Sequence, residues 1–190
     1  MIVTTRMNSP GMRGDFWGGD PKYGGATVGE GSHFADLMYW LTESEPVNVF
    51  AQSLPIDGGE PLGINNIAAS IRFADGSIGN FLYSTVGSEA SAGEFVEVFS
   101  SGVGVSTEDF KSVTVKKSLR KSSNSWFAKK GYVAQMESFI KNLKAGNPTE
   151  VSVIDGARAT IICLLMIESA KTNSPIDIDL ESILENGFRL

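Results

Sequence analysis

The feature that most constrains this chain is a run of strict alternation interrupted by a tight turn. Ile67, Ala69, Ile71 and Phe73 occupy every second position up to Asp75-Gly76, and Ile78 to Ser84 resumes beyond it. A period of two on either side of an Asp-Gly pair specifies a β-hairpin, so the chain must build and cover an antiparallel sheet. Within the second arm one alternating set is Ile78, Asn80 and Leu82 and the other is Gly79, Phe81 and Tyr83. Neither face is reliably polar, and a sheet apolar on both sides needs two covers. If the helices of the chain supply one, a second copy is the natural other.

The remaining segments fit around that hairpin. Ile2 to Met7, Val47 to Ala51, Phe95 to Phe99, Val103 to Ser106 and Phe110 to Val115 read as further strands, and Ile176 to Asp179 as an edge strand. Phe34, Leu37, Met38 and Leu41 recur with a helical period between Glu30 and Leu41, and Tyr132, Met136, Phe139, Ile140 and Leu143 do so until Gly146-Asn147-Pro148. Ser152 with Asp155 forms a capping box that opens a third helix, ending near Asn173. Two loops stand out: Gly11 to Gly25, with Phe16, Trp17 and Tyr23 among its glycines, and Pro55 to Gly63 around Asp57-Gly58-Gly59. The expected fold is a single α+β domain over 1–190. It is an open-faced, mainly antiparallel sheet of about six strands with helices packed on one face.

Composition removes several classes of function. The net charge is −6, which argues against wrapping a nucleic acid. Seven of the sixteen cations nevertheless fall between Lys111 and Lys130, with no acidic residue among them. That segment reads as an edge strand defended by lysines or as a patch for a phosphate-bearing substrate. The longest purely apolar run, Ile161 to Ile167, is far short of a bilayer span, and the first residues show no secretory signal. A cytoplasmic protein with no membrane partner is expected. Cys163 is the single cysteine and His33 the single histidine, which excludes a disulfide framework and a His-rich metal site.

One cluster carries chemistry. Glu30, His33 and Asp36 are spaced by three, so a helix gives His33 a carboxylate one turn before and another one turn after. Such an imidazole can take a hydroxyl proton near neutral pH. The same spacing also describes a half-buried histidine at a helix start, satisfied by local carboxylates. Gly24-Gly25-Ala26-Thr27-Val28-Gly29 has the glycines of a nucleotide loop, but no G-x-G-x-x-G and no Gly-Lys-Ser/Thr occurs in the chain. A dinucleotide fold of its own is therefore not expected.

Gly24-Gly25 leading through Gly29-Glu30 into His33-Phe34-Ala35-Asp36 resembles the G-G-x(n)-H-x-x-D signature of the glucose-fructose oxidoreductase, inositol dehydrogenase and rhizopine catabolism (Gfo/Idh/MocA) family. Arg6-Met7-Asn8, Asp15-Phe16-Trp17, the hairpin around Phe73 to Gly79, Glu94 to Phe99 and the helices after Phe139 resemble, in order, the C-terminal domain of that family. The resemblance implies a fold like the C-terminal domains of dihydrodipicolinate reductase and glyceraldehyde-3-phosphate dehydrogenase. It also implies that the N-terminal Rossmann domain, which binds NAD or NADP and supplies a catalytic lysine, is absent here. The chain is then an excised fragment or an incomplete reading frame and is not expected to turn over alone.

By the same resemblance His33 stands at the substrate carbinol as acid/base or hydrogen-bond partner, with Glu30 beside it. Many members carry an aspartate four residues before the histidine. Here that position is Gly29 and the acid is Glu30, as in a subgroup with Gly-Glu there. Arg6, Asn8 and Asp36 are candidates to hydrogen-bond a carbohydrate-like substrate, and Trp17 to stack on it. The implied function is the substrate-binding and oligomerisation domain of an NAD(P)-dependent oxidoreductase acting on a sugar, cyclitol or sugar derivative, as a dimer or tetramer. The rival is a freestanding binding or scaffold module without catalysis.

Overall fold

A computed structural model of the chain describes residues 1–12, 16–55, 63–117, 120–124 and 130–186. Asp15, Asp57-Gly58-Gly59 and Lys129 lie outside the described residues. The strands are β1 (Ile2–Asn8), β2 (Pro46–Ser53), β3 (Ile67–Phe73), β4 (Ile78–Ser84), β5 (Glu94–Ser100), β6 (Val103–Glu108), β7 (Ser112–Lys116), β8 (Arg120–Asn124) and β9 (Ile176–Asp177). The helices are α1 (Gly25–Gly29), α2 (Gly31–Thr42), α3 (Tyr132–Ala145), α4 (Val153–Thr172) and α5 (Leu180–Asn186).

The expected hairpin forms as β3 and β4. Asp75 closes it by accepting from the backbone N–H and the hydroxyl of Ser77, which holds the Asp75 carboxyl below the usual carboxylate range. The strands make one sheet in the order β8-β7-β6-β5-β1-β4-β3-β2-β9. Its pairings are antiparallel except β1 with β4, which is parallel. The chain leaves β1 through α1 and α2 and builds β2 and β3 before β4 returns beside β1, so a crossover separates the parallel pair.

Nine strands among the described residues correct the expected six. The basic segment supplies β8, an edge strand whose wholly polar sequence carries no apolar alternation to announce it. The two-residue β9 pairs with β2 on the other edge, where the tail was expected. α5 had no periodic pattern long enough to show.

The sheet sorts its side chains by alternation. Val3, Thr5 and Met7 of β1 and Phe81 and Tyr83 of β4 point into the core, while Ile78, Asn80 and Leu82 face out. The inner face is covered by α2 against β1 and β4, and by α4 against β2 and β3, the two helices packing side by side. α4 buries Ile161, Ile162, Cys163, Leu165, Met166 and Ile167, which lie around most of its circumference, as suits a helix enclosed by sheet and neighbour. Its capping box forms as expected, and Asn173 caps its end in the left-handed conformation.

Arg158 ties these layers together. It is 7% exposed, bonds Glu45 through Nε and Nη2 at 2.9 Å each and Asp155 at 2.8 Å, and lies 3.8 Å from the Tyr39 ring centre. The expectation of helices on one face holds for α2 and α4 only. α3 buries none of its residues and packs substantially on no other described element.

Candidate functional site

His33 stands in the first turn of α2, and the local chain explains its place. Gly31, at the start of the helix, lies so close to Phe81 that a Cβ would come within 2.8 Å of the ring. Phe34, Ala35 and Met38 then bury the apolar stripe, and His33 falls on the exposed shoulder beside it.

Two adjoining clefts meet at His33. One, of about 390 Å³, runs past Asn8, Ser9, Glu30, Glu94 and Asp109 to Lys130 and Tyr132. The other, of about 420 Å³, runs past Asp36, Leu37, Trp40 and Phe110 to the same Lys130 and Tyr132. Across from His33, Lys130 Nζ pairs with Glu94 Oε2 at 2.9 Å, and the hydrogen bond from Lys130 holds its ammonium above the usual range. Asp109 accepts from the Glu94 backbone N–H, which lowers its carboxyl. The site is an open, water-accessible hollow of mixed charge with an imidazole on its wall.

The expected residues divide into those the fold gathers and those it does not. Glu30, His33, Asp36 and Asn8 line these clefts. The Glu30 carboxylate is engaged: Oε2 accepts from Ser9 Oγ at 2.9 Å and from the buried Tyr83 hydroxyl at 2.6 Å. It thereby pins the start of α2 to the ends of β1 and β4. Asn8 donates to the Ser88 carbonyl at 2.8 Å. Asp36 is half-buried, and burial, helped by the charge of Asp155, raises its carboxyl above the usual range against the pull of Arg158 and His33.

Arg6 and Trp17 stand apart. Strand alternation sends Arg6 to the opposite face of the sheet, 5.4 Å from the Phe95 ring, so it shares no cleft with His33. Trp17 is 71% exposed beside Phe16 and lines neither cleft. Sequence reading missed Glu94, Asp109 and Tyr132 and left Lys130 with the basic segment. Their approach to His33 depends on packing between distant segments, which leaves no mark in spacing.

The glycine loop is not a phosphate cradle. A Cβ at Gly25 would strike Asn65 and Ile64, and the Ala26 N–H is taken by Asn65 Oδ1 at 2.7 Å. Thr27 Oγ1 donates to the Ile64 carbonyl. The backbone of this loop is therefore turned to its own packing and does not offer a free nest of N–H groups to a phosphate. Among the described residues no three His, Cys, Asp or Glu side chains gather as a metal site, and no helix is long and apolar enough to cross a membrane.

Known structures share this fold. The chain is similar in fold to an aldose-aldose oxidoreductase of Caulobacter crescentus, solved with glycerol, at 15% identity and a TM-score of 0.78, with 93% of this chain and 55% of that one covered. It is similar to UDP-N-acetylglucosamine 3-dehydrogenase of Acidithiobacillus ferrooxidans at 16% identity and a TM-score of 0.73, covering 90% and 53%. An oxidoreductase of Agrobacterium radiobacter in complex with NAD+, L-tartaric acid and magnesium matches at 12% identity and a TM-score of 0.69, covering 96% and 57%. This chain thus spans little more than half the length of each of these structures. No curated protein matches it. The family model for the GFO/IDH/MocA C-terminal domain matches residues 1–102, more than half of the chain, and the chain belongs to that family.

Proposed function

We propose that this chain is the substrate-binding and oligomerisation domain of an NAD(P)-dependent oxidoreductase acting on a sugar, cyclitol or sugar derivative. The observation that carries the reading is His33, held at the junction of two open clefts whose other walls are carboxylates, an amide and an ammonium. Groups of that kind hydrogen-bond hydroxyls, and an accessible imidazole beside them can accept the proton of a carbinol as it is oxidised. A nicotinamide cofactor, bound outside this chain, supplies the hydride acceptor. Glycerol, tartaric acid and a nucleotide sugar in the names of the similar structures support a polyhydroxylated substrate.

Within that reading His33 is the catalytic residue. Glu30, committed to Ser9 and Tyr83, positions the helix that carries it, and Asn8 and Asp36 shape the substrate clefts. Cys163 is a buried free thiol whose pKa burial pushes up to about 12, so it takes no part in the chemistry at His33.

The outer face of the sheet is the proposed self-association surface. Register places Ile78, Ile2 and Phe99 in one exposed row across β4, β1 and β5, and exposed Leu82 beside the half-buried Arg6 and Phe95 in a second. A flat sheet face of that character suits a second copy of itself.

Turnover tests the chemical part. In the complete enzyme, His33→Ala lowers kcat by about a hundredfold, the scale of a lost general acid/base, with cofactor affinity unchanged. An unchanged kcat overturns the assignment.

A further inference from the structure

Two clefts meet at His33, and a single carbinol needs only one of them. The cleft past Asn8, Ser9 and Asp109 is walled mainly by polar groups and suits a reacting polyol. The other, of about 420 Å³, differs in character: Leu37, Trp40, Phe110 and Tyr132 give it apolar and aromatic walls, with Asp36 and Glu94 as acceptors. That mixture is the make-up of a ligand site. Its walls come from α2, the start of β5, the turn between β6 and β7, and the segment entering α3, so distant parts of the chain assemble it.

Two local features shape this second cleft. His33, Asp36 with Leu37, and Trp40 recur at helical spacing on one face of α2, which sets the indole two turns, about 10 Å, along the helix from the imidazole. Trp40 is 69% exposed although it lines the cleft, so a broad aromatic surface is left in water there. In the turn between β6 and β7, Asp109 and Phe110 take φ of 48° and 53°, a left-handed conformation that disfavours a bulky residue. It turns Asp109 into the first cleft and Phe110 into the second. Charge constrains the occupant further. Among the described residues the two clefts are lined by four carboxylates, Glu30, Asp36, Glu94 and Asp109, against one ammonium, Lys130, already paired with Glu94.

We propose that the substrate is an uncharged two-ring glycoside, with its reacting ring in the cleft of Asn8 and Asp109 and its second ring stacked on Trp40. The inference rests on the oxidoreductase reading above and deepens it by naming the substrate class. The span from imidazole to indole exceeds one sugar ring and matches two joined rings. A pyranose has an apolar C–H face and a hydroxyl edge, which meet the indole and the carboxylates respectively. A nucleobase would stack on the same indole, but a nucleotide sugar brings a diphosphate, which the carboxylates oppose.

Steady-state reduction of NAD+ or NADP+ by the complete enzyme tests this. Cellobiose, maltose, trehalose and lactose serve as two-ring probes, methyl glucoside and methyl galactoside as one-ring probes, and glucose 1-phosphate and UDP-glucose as anionic probes. The expected result is that the best two-ring probe exceeds the best one-ring probe by about tenfold in kcat/KM, through KM, and that the anionic probes fall below both. Trp40→Ala lowers the two-ring advantage by about fivefold or more, and Trp40→Phe, which keeps a stacking ring, retains most of it. Equal kcat/KM for one and two rings, a preference for UDP-glucose, or a Trp40→Ala loss that falls equally on both ring classes overturns the inference and leaves the proposed function standing. A Trp40→Ala effect confined to the KM of the cofactor assigns the indole to the nicotinamide and also overturns it. Oxidation of none of these carbohydrates overturns both.

Discussion

Tyr83→Phe removes one hydroxyl and isolates the contact that fixes the start of α2. The ring is fully buried and Phe fills the same space, so the change reads almost entirely on the 2.6 Å bond to Glu30 Oε2. A hydrogen bond to a carboxylate contributes about 1.5–3 kcal/mol. Ser9 Oγ still donates to the same oxygen, which leaves the carboxylate partly satisfied and sets the expectation near the middle, about 2 kcal/mol.

For a chain of this size that corresponds to a fall in Tm of about 4–8 °C. Glu30→Gln keeps an acceptor oxygen and loses the charge, so it should cost about 1 kcal/mol and roughly halve the effect of Tyr83→Phe in the double variant. The pH dependence supplies a second reading. Burial, and then the bond to Glu30, raise the Tyr83 phenol above its ordinary value. A raised phenol favours folding fully below about pH 10, and that contribution is lost as pH rises above it. The deficit of Tyr83→Phe, measured by urea unfolding, should therefore be constant from pH 6 to 9 and shrink beyond 10. A loss under about 0.5 kcal/mol, or a deficit that grows above pH 10, refutes the argument that Glu30 is a structural anchor held by Tyr83.

Three further outcomes follow from the same geometry. Arg158→Met should cost about 2 kcal/mol in urea unfolding, less than a fully buried pair because Glu45 and Asp155 can regain water, and Arg158→Lys should not restore the forked geometry. Asp36→Asn should raise Tm at pH 7, because the fold disfavours the charged carboxylate, and the gain should disappear below about pH 4, where the carboxyl is protonated folded or unfolded. Sedimentation velocity should show the wild-type chain self-associated and Leu82→Glu monomeric, with the variant's Tm no longer dependent on protein concentration. A wild-type monomer at high concentration removes the outer sheet face as the interface.

Local pattern carried the elements whose stability is local. The β3–β4 hairpin, the α2 stripe and the α4 capping box all follow from residues within a few positions of one another. The spacing of Glu30, His33 and Asp36 likewise puts three polar side chains near one helix start without any tertiary contact. The polar β8, Arg120-Lys121-Ser122-Ser123-Asn124, carries no apolar alternation and lies at an edge of the sheet, and so its pairing could not be read from sequence.

Tertiary structure decided the rest. Which side of β1 a residue faces is set by register against β4 and β5, and that sends Arg6 to the face of the sheet away from His33 while its near neighbour Asn8 lines the cleft. Tyr83 of β4 and Ser9, just past β1, reach Glu30 from positions far apart in the chain, and turn it from a partner of the imidazole into an anchor. Only the packing of α2 and α4 leaves α3 uncovered. A helical period shows that a face is apolar and is silent on what meets it, because contact between distant segments depends on where the whole sheet places them.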